Sequence, residues 1–190
     1  MSHETSLTRS TEAMRQGLRD TYGADTIALA DRSGQELRGV DFAARAPKVG
    51  ERAPGFELSD ARGERVALDE LLGAGPVVLV FYRGAWCPYC NLQLAAFRDW
   101  LDEIEAAVLS DTGNAVARSY GLEWINPGWH AAFQREHGVD VTAFNGDDSQ
   151  RLPAAATFVI GPERRVQYVA ISADYRWRVG PEEVLAALGR

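Results

Sequence analysis

The sequence predicts an α/β protein in which a central buried strand has helices on both sides. Residues 76–82, PVVLVFY, form an uninterrupted apolar run, which is typical of a strand covered on both faces. Directly after Cys87, apolar residues recur at intervals of three and four, the period of a helix. Toward the carboxyl terminus, AATFVI and RVQYVAI are separated by the turn GPER, which indicates an antiparallel hairpin.

The first 46 residues are predicted to form a helical extension. The segment STEAMRQGLRDTYG has a Ser or Thr suited to an N-cap, apolar residues at helical spacing and an end at Gly23. The stretch that follows reads as a weaker mixture of helix and loop. At Pro47 the sequence becomes dense in Gly and Pro, so we place the extension at 1–46 and one domain at 47–190.

The remaining elements of the domain follow from short patterns. Two alternating runs around a turn at 60–63 predict a hairpin ahead of the buried strand. Residues 112–122 and 126–138 predict two helices, each stopped by a Gly, and 139–153 is predicted to be loop. The last helix, GPEEVLAALGR, has Pro181 in its first turn.

The composition is that of an ordinary globular protein, with 46% hydrophobic and 25% charged residues among 190. A net charge of −7, with Lys and Arg scattered along the chain, argues against nucleic acid as a partner. The amino terminus lacks the apolar core of a signal peptide, and no run approaches the ~18–20 apolar residues of a membrane span. We therefore expect a cytoplasmic protein with no membrane partner.

The two cysteines of the chain, Cys87 and Cys90, lie three residues apart where the buried strand passes into a helix. Unpaired N–H groups and the helix dipole at Cys87 favour its thiolate, so we expect its pKa to lie below the free value of ~8.5. Pro88 is suited to the first helical position. Cys90 follows on the same helical face, with its Cα at ~5–6 Å, within disulfide reach. The spacing indicates a reversible redox pair in which Cys87 attacks and Cys90 resolves.

Three other interpretations of the pair are weaker. A zinc site needs four ligands, and only His3, His130 and His137 could complete it, at a spacing that is unusual for ligands. A permanent structural disulfide is disfavoured in a cytoplasmic protein. Two inert core cysteines would fall at a strand-to-helix junction only by chance. We expect neither a metal nor a cofactor.

Four neighbours of the cysteines are candidates for supporting roles: Arg83, Gly84, Trp86 and Pro88. Arg83 carries a charge that would stabilise a thiolate, although a solvated loop cation is the slightly favoured interpretation. Trp86 is either a lid over the pair or ordinary packing, and Gly84 lies in the turn.

Other polar residues are given structural interpretations. Gln93, one turn past Cys90, is expected at the surface. The DYRWR segment suggests an anion site, but a surface ion-pair cluster of Asp174, Arg176 and Arg178 is the favoured interpretation. His130 and His137 are expected to be structural residues on a helix face.

The stretch VGERAPGFELSDARGERVALDELLGAGPVVLVFYRGAWCPYCNLQL resembles the opening of the alkyl hydroperoxide reductase/thiol-specific antioxidant (AhpC/TSA) family, the peroxiredoxin-like branch of the thioredoxin superfamily. Later segments, including AFNGDDS and ATFVI, extend the resemblance over about 47–190. The resemblance implies a thioredoxin-like fold with a central mixed β-sheet flanked by helices. It also implies thiol-dependent reduction of hydrogen peroxide or organic hydroperoxides. Cys87 is then the peroxidatic cysteine and Cys90 the resolving one.

The resemblance further implies partners. The oxidised pair would be reduced by a thioredoxin- or glutaredoxin-type protein or by a low-molecular-weight thiol. A homodimer is compatible with the family.

Three departures from the family pattern bear on function. Typical peroxiredoxins carry a Thr or Ser three residues before the peroxidatic cysteine to bind peroxide, and this chain has Gly84 there. The family places an Arg, and thioredoxin-like folds a cis-proline, before the strand that faces the cysteines, where this chain has Ala155, with Pro153 two residues earlier. A family strand and helix are missing near 105–108. We expect a wide spatial gap there, or else that AAVLSD fills the vacant place.

Two alternatives to a peroxidase stay open. The WCPYC motif looks like a hybrid of thioredoxin and glutaredoxin active sites, which suits a protein-disulfide reductase. A non-enzymatic redox sensor or interaction module, whose disulfide changes its partner, would use the same two residues.

Overall fold

The computed structural model describes residues 6–98 and 107–189. The chain opens with three helices: α1 (Ser6–Tyr22), α2 (Ala24–Leu37) and the short α3 (Phe42–Arg45). Gly23, with a φ of 83°, separates α1 from α2, as the sequence predicts. The stretch after Gly23 is more helical than expected, because α2 is continuous.

The part of the chain that the structure describes contains eight strands: β1 (Glu57–Asp60), β2 (Arg65–Ala67), β3 (Val77–Phe81), β4 (Leu109–Ser110), β5 (Glu123–Ile125), β6 (Arg151–Pro153), β7 (Ala155–Ile160) and β8 (Val166–Ser172). The other helices are α4 (Leu68–Ala74), α5 (Pro88–Arg98), α6 (Ala115–Ser119), α7 (Gly128–Glu136), α8 (Val141–Asn145) and α9 (Pro181–Ala187). Helices and strands are thus interspersed along the chain, as expected of an α/β protein.

The strands form three small sheets, in the orders β2-β1-β4, β3-β7-β8 and β5-β6. Every pairing among them is antiparallel. The expected mixed sheet is therefore not found among the described strands. The predicted hairpins β1–β2 and β7–β8 are both confirmed.

We call the sheet β3-β7-β8 the main sheet. Its central strand is β7, and all six residues of β7 are buried. β3 pairs with β7 alone among the described strands, and four of its five residues are partly exposed. The prediction that 76–82 is the strand covered on both faces is therefore wrong. Side chains on both faces of β3 are only partly buried, so neither face is fully covered.

The strand expected beside β3 is not supplied by the AAVLSD segment. β4, which contains Leu109 and Ser110, pairs with β1 through Asp60 and Ser59. The alternative in which this segment fills the vacant place is thus wrong. The expected gap begins at residues 105 and 106, which lie outside the described residues.

Residues 139–153 contain α8 and β6 instead of the predicted loop. The Asp140 carboxylate accepts hydrogen bonds from the N–H groups of Thr142 and Ala143, which caps α8 at its start. Gly146, with a φ of 64°, ends the helix one turn later. The sequence signals for both ends were present, but the helix between them is too short for periodicity to reveal.

The core joins the main sheet to the amino-terminal helices. The Tyr120 ring lies 5.1 Å from the ring centroids of both Phe81 and Phe158. Leu37 and Phe42 belong to the same buried cluster, so the extension contributes to the core of the domain. Among the residues described, no helix combines the length and apolar character needed to span a membrane.

Candidate active site

The dithiol lies where β3 gives way to α5, at the junction that the sequence predicts. The Cys87 N–H donates to the Gly84 carbonyl at 3.0 Å, which closes a tight turn before the helix. The Asn91 N–H donates to the Cys87 carbonyl at 3.1 Å, so the first helical hydrogen bond starts at this cysteine. Pro88 is the first residue of α5, as expected. Cys87 therefore lies at the amino-terminal end of a helix, where the dipole favours a thiolate.

Both cysteines are reduced and buried, with exposed fractions of 1% for Cys87 and 0% for Cys90. The Cys90 sulfur accepts the backbone N–H of Arg83 at 3.4 Å. The same sulfur accepts a hydrogen bond from Nη2 of Arg178 at 3.2 Å. A guanidinium from a distant part of the chain is therefore in direct contact with the pair.

A hydrogen bond between the two cysteine side chains moves their pKa values in opposite directions. A hydrogen bond from the Cys90 thiol lowers the pKa of Cys87 to about 5; burial opposes this, and the charges of Arg83 and Arg178 assist it. The same hydrogen bond, with burial, raises the pKa of Cys90 and outweighs the two donors on its sulfur. Cys87 is thus the thiolate and Cys90 the thiol.

Arg83 is buried, with 4% of its surface exposed, so its interpretation as a solvated loop cation is wrong. Its guanidinium carbon lies 4.1 Å from the centroid of the Tyr175 ring and 4.8 Å from that of Trp86. These aromatic faces, together with the nearby thiolate, offset the cost of burying the charge. No carboxylate in the described ranges forms an ion pair with Arg83, and its Nε and Nη2 have no hydrogen-bond partner.

Trp86 lies directly against the turn before Cys87. Its indole nitrogen is 2.5 Å from the position that a Cβ on Gly84 would occupy. Gly84 also has a φ of 139°, which side chains other than glycine rarely allow. The glycine therefore permits both the backbone turn and the place of the indole.

From the sequence, Arg178 is expected in a surface ion-pair cluster, whereas the structure brings its guanidinium to the dithiol. The surface ion-pair cluster predicted for DYRWR forms only in part: Arg176 pairs with Asp174, while Arg178 points to Cys90. The cluster is also not at the surface, since Asp174 is 5% exposed. Nothing in the sequence signals the contact, because 88 residues separate Arg178 from Cys90.

Gln93 holds the loop that carries Arg178. Its side chain is 2% exposed and donates to the Val179 carbonyl at 3.0 Å, so the expectation of a surface position is wrong. Ala155 begins β7, and no guanidinium extends from that position. Arg178 brings a guanidinium to the site from the loop after β8 instead.

The amino-terminal helices cover this loop. Asp31 of α2 pairs with Arg176, and Nη2 of Arg38 contacts Asp174 at 2.7 Å. The Tyr175 hydroxyl donates to the Ala30 carbonyl at 3.1 Å. Burial raises the pKa of Asp174, but hydrogen bonds from Arg176 and Arg38 outweigh it and hold this pKa at about 2. The carboxylate is therefore charged throughout the physiological range.

His130 is a buried structural residue, 3% exposed, with Nδ1 2.6 Å from the Asn126 side-chain oxygen. Burial and the charge of Arg83 lower the pKa of His130 to about 3, so the ring is neutral at pH 7. Over residues 6–98 and 107–189, no three His, Cys, Asp or Glu side chains are grouped to hold a metal.

Comparisons with known proteins address the same region. A model of the AhpC/TSA family matches residues 49–108. A candidate peroxiredoxin of Mycobacterium tuberculosis (strain H37Rv) is 39% identical over 148 residues, which cover 74% of this chain and 96% of the relative. The thiol-disulfide oxidoreductase ResA of Bacillus subtilis is 29% identical over 130 residues, covering 62% of this chain and 64% of ResA.

Solved structures give a similar result. The crystal structure of peroxidoxin BcpB from Mycobacterium tuberculosis matches with a TM-score of 0.56 and 25% identity, covering 75% of this chain and 97% of that chain. A yeast mitochondrial 1-Cys peroxiredoxin matches with a TM-score of 0.52 and 15% identity, over 75% of each chain, and shows likeness of fold alone.

Proposed function

We propose, from the premise that this chain belongs to the AhpC/TSA family of peroxiredoxin-like thiol enzymes, that Cys87 and Cys90 are the working pair of its peroxidase reaction. The family relationship makes the protein a thiol-dependent oxidoreductase with an α/β, thioredoxin-like fold. The division of labour between the two cysteines and the identity of the substrate are our proposal.

The observation that carries the proposal is the position of Cys87 at the amino-terminal end of α5, with Cys90 three residues later in contact with the Arg178 guanidinium. Because the pKa of Cys87 is lowered to about 5, its sulfur is a thiolate at pH 7. Cys90 retains a proton for the following step, since its pKa is raised. An asymmetric pair of this kind supports nucleophilic attack by Cys87 and resolution by Cys90.

In the proposed cycle, the Cys87 thiolate attacks the terminal oxygen of a hydroperoxide, the O–O bond breaks, and the other oxygen leaves as hydroxide or alkoxide, so that Cys87 becomes a sulfenic acid. The Cys90 thiol then displaces water from that sulfenic acid, which leaves a Cys87–Cys90 disulfide. A thioredoxin- or glutaredoxin-type protein, or a low-molecular-weight thiol, reduces the disulfide in two exchange steps. Arg83 and Arg178 stabilise the thiolate between cycles.

Hydrogen peroxide and small organic hydroperoxides fit the site better than a protein disulfide does. With both sulfurs at 1% exposure or less, a small oxidant needs a smaller opening than a folded protein. A protein-disulfide reductase remains the second candidate, favoured by the likeness to ResA and by the missing hydroxyl at Gly84.

Peroxide consumption and insulin reduction, both driven by dithiothreitol, separate the two candidates. We expect turnover of hydrogen peroxide or cumene hydroperoxide that exceeds insulin reduction. Cys87→Ser should abolish turnover, and Cys90→Ser should allow one oxidising equivalent to react and trap a sulfenic acid on Cys87. Rapid insulin reduction without peroxide turnover would assign the protein to the reductases, and retained turnover in Cys87→Ser would reverse the two roles.

A further inference from the structure

The site around the dithiol is rich in buried N–H groups that have no acceptor. In the described part of the chain, six buried side-chain nitrogens lack a hydrogen-bond partner. Five of these nitrogens lie near the dithiol: Arg83 Nε and Nη2, Trp86 Nε1, Trp124 Nε1 and Arg178 Nη1. Both tryptophan rings contact the Arg83 guanidinium, and Arg178 contacts the Cys90 sulfur. Because buried donors in native proteins are paired with protein atoms, ordered water or a bound ligand, this cluster offers several donors to an oxygen that enters the site.

Trp86 is the unpaired donor nearest to the attacking cysteine along the chain. Its indole nitrogen packs at 2.5 Å from the Cβ position of Gly84, and the carbonyl of Gly84 accepts the Cys87 N–H. Trp86 directly precedes Cys87 in the chain and is partly exposed, whereas Cys87 is buried. The indole nitrogen itself is buried and unpaired beside the turn that carries Cys87.

The indole N–H is uncharged and donates no hydrogen bond within the described part of the chain. Its donor capacity is therefore not consumed in activating the resting thiolate. An oxygen that becomes negative during the reaction would be a suitable acceptor, because a preorganised donor stabilises the charge as it develops.

We propose that the Trp86 indole N–H donates a hydrogen bond to the leaving oxygen of the peroxide, which makes Trp86 a catalytic residue; this inference rests on the peroxidase function proposed above. The Cys87 sulfur forms a bond to the terminal oxygen while the O–O bond breaks. Sulfur loses two electrons and the peroxide gains them. The terminal oxygen keeps its hydrogen, giving a sulfenic acid, and the departing alkoxide or hydroxide takes a proton from water. The indole keeps its own hydrogen throughout.

Gly84 allows the indole of Trp86 to take this position. A side chain at this position would place its Cβ 2.5 Å from the indole nitrogen and 2.9 Å from Cδ1, so the ring would have to move. With glycine at position 84 there is no side-chain hydroxyl, and the indole N–H of Trp86 is the neutral donor in its place. The guanidinium of Arg83, 4.8 Å from the ring centroid of Trp86, adds positive charge beside it.

The test compares Trp86→Phe with Trp129→Phe, a matched control on α7 that is partly exposed like Trp86 and whose ring contacts Arg32. Two rates are measured on each reduced protein from pH 4 to 9: oxidation of Cys87 by hydrogen peroxide, and alkylation by iodoacetamide. Alkylation reports the thiolate but involves no leaving oxygen. We expect Trp86→Phe to slow oxidation by at least about tenfold, with an unchanged alkylation profile, and Trp129→Phe to change neither.

A third variant, Trp86→His, restores an N–H donor and should recover part of the oxidation rate; it also keeps the test decisive if the phenylalanine variant does not fold. Equal slowing of oxidation and alkylation in Trp86→Phe would assign the indole to packing and overturn the proposal, as would unchanged oxidation. If the unmodified protein reacts with alkylating agents but not with peroxides, the proposed function fails, and the role of Trp86 fails with it.

Discussion

Arg178 places a second positive charge on the dithiol, beside that of Arg83. Its Nη2 lies 3.2 Å from the Cys90 sulfur, and its charge helps to lower the pKa of Cys87. This guanidinium thus acts on both cysteines: it contacts the thiol and stabilises the thiolate. The consequence is that reactivity at Cys87 depends on a residue that the CxxC motif does not include.

Replacing Arg178 with Gln should therefore raise the pKa of Cys87, by about one pH unit, because a nearby cation is removed. The measurement is the rate of iodoacetamide alkylation against pH, in a Cys90→Ser background as well as in the native pair. Arg135→Gln, which removes the same charge from a side chain that is 59% exposed, serves as the control. An inflection that stays in place in Arg178→Gln would show that Arg178 is only packing against the sulfur.

At the scale of elements, the loop between β8 and α9 connects the amino-terminal helices to the cysteines. One end of it is tied to α2 through Asp31, Arg38 and Ala30, and its Arg178 reaches Cys90. Gln93 of α5 anchors Val179 from the other side. The burial of the dithiol therefore depends on how firmly α1 and α2 hold this loop.

Asp31→Asn should loosen the loop and open the site to large reagents. Asp31 pairs with Arg15 of α1 and Arg176 of the loop, and its side chain is 14% exposed. A loss of about 1 kcal/mol from these pairs corresponds to about fivefold more frequent opening. We expect a bulky maleimide to react with Cys87 about that much faster, with a smaller change for iodoacetamide.

The control for this prediction is Glu36→Gln on the same helix. Glu36 pairs with Arg32 four residues away at the surface, so its loss does not touch the loop. If Asp31→Asn and Glu36→Gln have the same effect on maleimide labelling, the loop is not what shields the cysteines.

At the scale of the whole molecule, the reduced protein should become more stable as the pH rises from about 5 to 8.5. The pKa of Cys87 is lowered to about 5 in the folded protein, against ~8.5 in an unfolded chain. A group whose pKa is lowered by folding contributes stability that is fully present above its unfolded value and is lost as the pH falls through its folded value. At 1.36 kcal/mol per unit, the contribution is at most a few kcal/mol.

Urea unfolding of the reduced protein and of Cys87→Ser at pH 5, 7 and 8.5 tests this dependence. The difference between the two proteins reports the coupled Cys87–Cys90 pair, because the raised pKa of Cys90 also depends on Cys87, whereas the contribution of His130, with its pKa lowered to about 3, is common to both. We expect the free energy of unfolding to rise with pH more steeply in the unmodified protein than in Cys87→Ser. Parallel slopes would contradict a thiolate that is stabilised by the fold.

The sequence by itself determined the features that depend on neighbouring residues. The dithiol at a strand-to-helix junction, the hairpin β1–β2 and the division of α1 from α2 at Gly23 follow from periodicity, turn residues and helix ends within short stretches. Residues 49–108, which carry the family motif, are likewise one continuous segment. Because these features depend only on residues close together in the chain, a single sequence is enough to predict them.

Only the tertiary structure decided which distant residues meet at the sulfurs. Arg178 reaches Cys90 across 88 positions, Arg83 is buried by aromatic rings from other elements, and α2 holds the loop that carries Arg178. The same is true of β7, which is central because β3 and β8 pair with its two edges. These arrangements depend on how separate elements pack and on the cost of burying a charge, and no local pattern encodes either.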